Sequence, residues 1–292
     1  MVRVLVTGSN GSLGRVACTA LQTAGHWVRG LDRAAGSGDT TYDRSATPDA
    51  QPDEFVLAEI TDAAALAGAM ESIDVVIHLA ATPDDLATFD EPGGIMESNI
   101  LGVYLVCDAA RTAGVSRLML ASSVQAIQGL RTPDRTTTIT LEDGTSPTNH
   151  YSLTKVFSED IGQMYARGVE PRFAVAGEAS PNIMSVVITR IGWFVRNTEE
   201  ALTLAEAKSF GLYLSHDDAG RYFVRVVESQ TPVAGDSAVL FAVSKCPDGM
   251  VPTVDVGPSA EVIGYIPENI FGSGTRFQHF IPNFLLFSVR FC

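Results

Sequence analysis

The chain is predicted to be an α/β protein built on a doubly wound parallel sheet. Short apolar runs alternate with longer helical patterns through the first 190 residues, the signature of βαβ units. A glycine-rich turn, "TGSNGSLG", joins the first apolar run to the first helical pattern. An acidic residue, Asp32, closes the second run, where dinucleotide-binding sheets keep a carboxylate. Together these predict a Rossmann-type sheet, followed by a small C-terminal substrate lobe.

Taken in order, "RVLVTG" is a strand and 12–24 a helix; "HWVRGLD" is the second strand, ending at Asp32. Residues 33–53, rich in Gly, Asp, Thr and Pro, are read as loop, since these residues favour turns. "EFVLAEI" is the third strand, followed by an alanine-rich helix over 62–70. "DVVIHLAA" is the fourth, followed by a loop at 82–94 and a helix over 95–113. "RLMLASS" is the fifth strand, 124–149 is loop, and a helix starts near Tyr151. The polar segment 168–184 reads as an insertion, and "MSVVITRIG" as the sixth strand. Helices are expected at 198–208 and 216–229, with the chain passing back to the sheet near 238–243. The expected division is a dinucleotide-binding domain over 1–190, carrying the catalytic residues, and a substrate lobe over 191–292.

Composition narrows the function. Hydrophobic residues make up 46% of 292 positions, ample for a large core. A net charge of −14 disfavours nucleic acid and anionic membranes as partners, because both reward basic surfaces. Cys18, Cys107, Cys246 and Cys292 are scattered, which fits reduced cytoplasmic thiols better than disulfides or a metal site. "MVRVLVTGSNGSLG" lacks a signal-peptide layout, and no run reaches the roughly 18 apolar residues of a membrane span. "FIPNFLLFSVRFC" comes nearest and is read as a docking segment. A cytoplasmic protein with a small-molecule substrate is expected, with a homodimer or higher homo-oligomer possible.

Two motifs carry chemistry. Gly8, Gly11 and Gly14 lie between a strand and a helix, where glycine lets backbone N–H groups approach a pyrophosphate at the helix N-terminus. Asp32, 18 residues after Gly14, can accept hydrogen bonds from the adenosine ribose hydroxyls and repel a 2′-phosphate. This selects NAD, although Arg33 beside it pulls toward NADP. The second motif is "YSLTK". Tyr151 and Lys155 stand four apart in a chain whose only lysines are Lys155, Lys208 and Lys245. Residues at that spacing share a helical face. Free tyrosine titrates near 10, too high for a base at neutral pH, and a neighbouring ammonium would lower that value.

The TGxxGxxG spacing, "HLAA" at 78–81, Asn99, the serine pair 122–123 and "YSLTK" together resemble the short-chain dehydrogenase/reductase superfamily. The likeness is to its extended, NAD-dependent epimerase/dehydratase branch, over roughly residues 1–245. The resemblance implies that Tyr151 is the base, that Lys155 tunes it and binds the nicotinamide ribose, and that Ser123 holds the substrate oxygen. Ser122 is the competing serine. The resemblance also implies cofactor contacts from Gly8, Asn10, Gly11, Ser12, Leu13, Gly14, Asp32, Arg33, Glu59, Ile60, Leu79, Ala80, Ala81, Asn99 and Ile191. His78 is read as strand-end packing.

Departures from the pattern select among reactions. The branch's dehydratases carry Asp-Glu after the strand-five hydroxyl, where this chain has Val124 and Gln125. "RIG" at 190–192, "YLSHDDAGRYF", "VLFAVSK" and "EVIGYIPE" look like uronate dehydrogenase-like members, which oxidise a sugar acid to a lactone with NAD. Those members have Asn-His at 124–125 and a small serine where this chain has Trp193. Val124, Gln125 and Trp193 are therefore candidate substrate contacts. Arg196 is either a carboxylate holder or a solvated surface arginine. The reading is an NAD-dependent dehydrogenase of a sugar, sugar acid or related small alcohol. The alternatives are a nucleotide-sugar epimerase with retained NAD and a non-catalytic dinucleotide sensor.

Overall fold

The computed structural model describes residues 1–36, 51–83, 93–131, 136–168, 183–207 and 209–271. Most of the 168–184 segment, the C-terminal "FIPNFLLFSVRFC" and Cys292 lie outside the described residues.

The strands are β1 (Arg3–Thr7), β2 (Trp27–Asp32), β3 (Glu54–Leu57), β4 (Val75–His78), β5 (Arg117–Ser123), β6 (Ser185–Ile191), the short β7 (Trp193–Phe194) and β8 (Tyr213–Leu214), and β9 (Ser237–Ala242). The helices are α1 (Ser12–Thr23), α2 (Ala63–Ala69), α3 (Gly93–Met96), α4 (Gly102–Ala113), α5 (His150–Arg167), α6 (Thr198–Glu206), α7 (His216–Glu228) and α8 (Gly257–Ile263). A π-helical turn, Glu97–Leu101, joins α3 to α4. Seven strands form one sheet in the order β3-β2-β1-β4-β5-β6-β9, and every pairing in it is parallel. The order reverses between β1 and β4. Ligands of such sheets bind at that switch point, beyond the carboxyl ends of the strands.

Side chains alternate across the sheet as a period-two strand requires. Val4 and Val6 enter the cluster that contains α1 and α7, while Leu5 joins the opposite cluster with α2, α4 and α5. Both faces are thus covered, which is why the strands read as continuous apolar runs. The approach of α7 to α1 is close: a Cβ on Gly220 would stand 3.1 Å from the Ala20 Cβ. Residues 214–227, 240–242 and 263–265 contribute to the same core as β1 and β4.

Two details differ from expectation. The third strand ends at Leu57, because only 54–57 pair with β2. The 124–149 stretch carries 3-10 turns at Val124–Leu130 and Leu141–Asp143; the first is capped by Ser123, whose Oγ accepts from the Gln125 N–H at 3.1 Å. Among the described residues, no helix is long and apolar enough to cross a membrane.

Candidate active site

The glycine turn sits at the carboxyl end of β1. Gly8 adopts φ +69°, and a Cβ there would lie 2.7 Å from the Ala80 nitrogen. Gly14 is more constrained, since its Cβ would fall 2.1 Å from the Gly8 carbonyl oxygen. The first helical turn of α1 therefore presses on the turn. Gly11 precedes α1 with an extended backbone and no side-chain cap, and the N-terminus of such a 12-residue helix favours an anion. Ser12 and Leu13 open that helix. These are the contacts a pyrophosphate needs. A larger residue at Gly8 or Gly14 would collide with main chain and distort the turn.

Asp32 ends β2. Its carboxylate accepts from the Asn10 N–H at 3.0 Å and the Ala34 N–H at 3.1 Å, so it is held beside the turn. Arg33 is exposed. Glu59 is exposed and Ile60 buried, Ile60 lying where a Cβ on Gly102 would meet it at 2.8 Å. At the end of β4, Leu79 and Ala80 are half-buried and Ala81 exposed. Asp32, Leu79 and Ala80 thus share the carboxyl edge with the glycine turn, as a dinucleotide would require.

Asn99 is buried and ties two segments together. Its amide donates to the Thr82 carbonyl at 3.0 Å and to Thr154 Oγ1 at 3.2 Å, while its oxygen accepts from the Thr82 N–H at 2.8 Å. It links the chain after β4 to the helix that carries the tyrosine. His78 pairs its Nδ1 with Thr7 Oγ1 at 2.7 Å. Burial, aided by the Lys155 charge, pulls the His78 pKa down to about 3, so its ring is neutral at ordinary pH.

The opening turn of α5 carries the proposed proton-transfer pair. Asn149 caps it: its side chain accepts from the Ser152 N–H, and Ser152 Oγ accepts from the Asn149 N–H, a reciprocal box that fixes where the helix begins. Tyr151 is half-buried. The Lys155 Nζ lies 5.2 Å from the centre of the Tyr151 ring and donates to the Ala121 carbonyl at 3.1 Å. Lys155 is buried, and burial lowers its pKa from the usual 10.5 to about 8, because desolvation penalises the ammonium. The two serines of β5 separate cleanly. Ser122 Oγ donates to Glu159 Oε1 at 2.6 Å, whereas Ser123 ends the strand at the carboxyl edge.

The candidate substrate residues are more dispersed. Val124 is buried in an apolar cluster with Ile127, Leu212, Phe241 and Val243. The Gln125 side-chain oxygen accepts from the Asn149 amide at 3.1 Å, so it braces the cap of α5. Trp193 follows Ile191 and Gly192 and packs on the cluster of Val195, Leu204, Phe210 and Phe271. Arg196 is paired: its Nε donates to Glu200 Oε1 at 2.6 Å and its backbone N–H to Oε2 at 2.7 Å.

Sequence reasoning missed the partners behind α5. Glu159 lies four residues beyond Lys155 and accepts from Arg190 Nε and Nη2 at 2.9 Å each. The same four-residue spacing that links Tyr151 to Lys155 points to Glu159. Its partners Ser122 and Arg190 are set by the sheet register, which spacing does not reveal. Among the described residues, no group of His, Cys, Asp and Glu could hold a metal.

A glycine turn at the switch point and a tyrosine–lysine pair on the helix packed against β5 and β6 define a dinucleotide-binding protein of the doubly wound class. Residues 4–179 match the model of the NAD dependent epimerase/dehydratase family, and the chain belongs to that family. An L-arabinose 1-dehydrogenase (NAD(P)(+)) of Haloferax volcanii is 30% identical over 80% of this chain and 85% of that protein. A uronate dehydrogenase of Pseudomonas putida is 31% identical over 56% of this chain and 55% of its own length. A solved mutant of the uronate dehydrogenase of Agrobacterium tumefaciens, complexed with NAD, superposes with a TM-score of 0.69 at 22% identity, covering 97% of this chain and 91% of that one.

Proposed function

We propose that the chain is an NAD-dependent dehydrogenase that oxidises a hydroxyl of a sugar, a sugar acid or a related small alcohol. The observation that carries this reading is Lys155, a buried cation beside the Tyr151 ring at the carboxyl end of a dinucleotide-type sheet. The arabinose and uronate dehydrogenases among its relatives point to the same chemistry. Bound NAD would supply the hydride acceptor. The chain's own residues supply the rest. Tyr151 takes the hydroxyl proton, the Lys155 ammonium favours the phenolate, and Ser123 Oγ holds the substrate oxygen. Asp32, fixed beside the turn, takes the adenosine ribose. Residues beyond 191, with Trp193 at their start, form the substrate side.

The substrate's charge is the open choice. Arg196 is engaged by Glu200, so a sugar carboxylate would have to displace a carboxylate already bound. Trp193, only partly buried, offers apolar surface, whereas Val124 is taken up by its own cluster. These features favour a neutral sugar over a uronate.

The test is a screen of aldoses, uronates and simple alcohols for NADH formation with added NAD. A net reduction with a neutral aldose exceeding that with uronates is expected. Denatured protein that yields stoichiometric NAD, with no net reduction by any alcohol, would favour a retained-cofactor epimerase instead.

A further inference from the structure

Behind the tyrosine–lysine pair, three elements meet at one carboxylate. Glu159 of α5 accepts from Ser122 Oγ of β5 at 2.6 Å and from Arg190 Nε and Nη2 of β6 at 2.9 Å each. Ser122, Glu159 and Arg190 are 2%, 4% and 3% exposed, so the cluster is buried, with Glu159 and Arg190 at the wall of a cavity also lined by Val156, Gln163 and Val239. One turn nearer the site, Lys155 Nζ grips the Ala121 carbonyl, again on β5. One turn further away, α5 is pressed against the sheet at Gly162, where a Cβ would stand 2.9 Å from Leu120 and 3.1 Å from Ile188. The helix is therefore fixed both along and across β5 and β6.

A buried ion pair is a weak source of stability, because desolvation offsets its attraction. What a two-pronged arginine–carboxylate contact does supply is geometry. Here the fixed geometry joins the residue before Ser123, the residue before Ile191, and a carboxylate one helical turn from Lys155. We propose that Glu159 is a positioning residue: through Ser122 and Arg190 it sets the placement of Tyr151 and Lys155 relative to Ser123. This rests on the reading of Tyr151 as the base. Glu159 itself touches neither substrate nor cofactor in this scheme. Displacing a reacting group by about 1 Å can cost 10²-fold in rate, so slippage of α5 should appear in kcat.

The decisive variant is the double substitution Glu159→Met with Arg190→Met, which removes both buried charges together and keeps the volume. In the wild-type protein, the phenol of Tyr151 is followed by ultraviolet difference titration against Tyr151→Phe. A phenol titrating below free tyrosine's value of about 10 is expected there. In the double variant, cooperative melting and NAD binding should persist, kcat should fall by about 10²-fold, and the Tyr151 titration should move upward as Lys155 draws away. Ser122→Ala should move the titration in the same direction by less, and it carries the test alone if the double variant does not fold.

A folded variant with wild-type kcat and an unmoved titration overturns the proposal and leaves Glu159 a merely structural residue. A wild-type phenol that titrates at the free value removes the base assignment first, and this inference with it. The two failures are thereby told apart.

Discussion

The proposed cofactor edge and the proposed substrate edge of the sheet are built by different means. At the cofactor edge, backbone sterics dictate the residues: an atom added to Gly8 or Gly14 meets main chain at 2.7 and 2.1 Å. At the substrate edge, side chains answer to one another. Gln125 answers to Asn149 and Arg196 to Glu200, while Trp193 packs on a cluster drawn partly from residues 204–271. The first edge admits almost no variation, as a site for one class of ligand would require. The second can be repacked, and relatives on one fold can oxidise different sugars.

The largest expected effect tests the machinery between the two edges. Tyr151→Phe should lower kcat by 10²–10⁴-fold, the usual contribution of a positioned base, with NAD affinity nearly unchanged; near-full activity on the best substrate would remove the trio. Lys155→Met should be at least as damaging and should also weaken NAD, yet it should stabilise the fold. A drop from 10.5 to about 8 corresponds to roughly 3 kcal/mol at about 1.4 kcal/mol per tenfold. Below about pH 8 the folded and unfolded lysines are both charged, so the folded state bears the whole penalty. Between about 8 and 10.5 the folded state sheds its proton first and the penalty fades. The stability gained by Lys155→Met should therefore be largest below about pH 8 and vanish toward 10.5, as denaturant melts at several pH values would reveal. The same sign predicts that kcat/KM declines above about pH 8 as the ammonium is lost.

At the cofactor edge, Asp32→Ser should narrow the preference for NAD over NADP by about tenfold, the order of one lost charge-assisted contact. Equal Kd values for the two cofactors in the unaltered protein would sink the assignment. The smallest effect belongs to the substrate edge. Arg196→Gln should cost only about 0.5 kcal/mol, as partly exposed ion pairs do, and should leave turnover of neutral aldoses as it was. A selective loss with uronates would reverse that reading and restore Arg196 as a carboxylate holder.

The difference between the edges also governs what the sequence disclosed. The strands from β1 to β6 were legible because a sheet covered on both faces writes itself as apolar runs, and Gly8, Gly14 and Asp32 because local conformation demands them. The spacing of Tyr151 and Lys155 was legible because a helix has a fixed period. Ser122, Glu159 and Arg190 were not, since their meeting depends on how β5, α5 and β6 lie in register across 68 residues. The pairing of Arg196 with Glu200 sits at helical spacing, yet sequence alone left that cation's partner open. The 3-10 turn at Val124–Leu130 is too short to show a helical period, so 124–149 reads as loop in the sequence.

The packing of α7 on α1 has a consequence for how the molecule is made. Helix α1 is complete by Thr23, but the surface that covers it arrives with residues 216–228, and the edge of β6 waits for residues 237–242. A ribosome must therefore polymerise roughly two hundred residues while an apolar flank of α1 stays open to solvent, and about 45 while the edge of β6 does. Such long-range closure slows folding and invites aggregation. A nascent chain arrested just after β6 should be a strong client for chaperones, and a fragment ending there should not be soluble by itself.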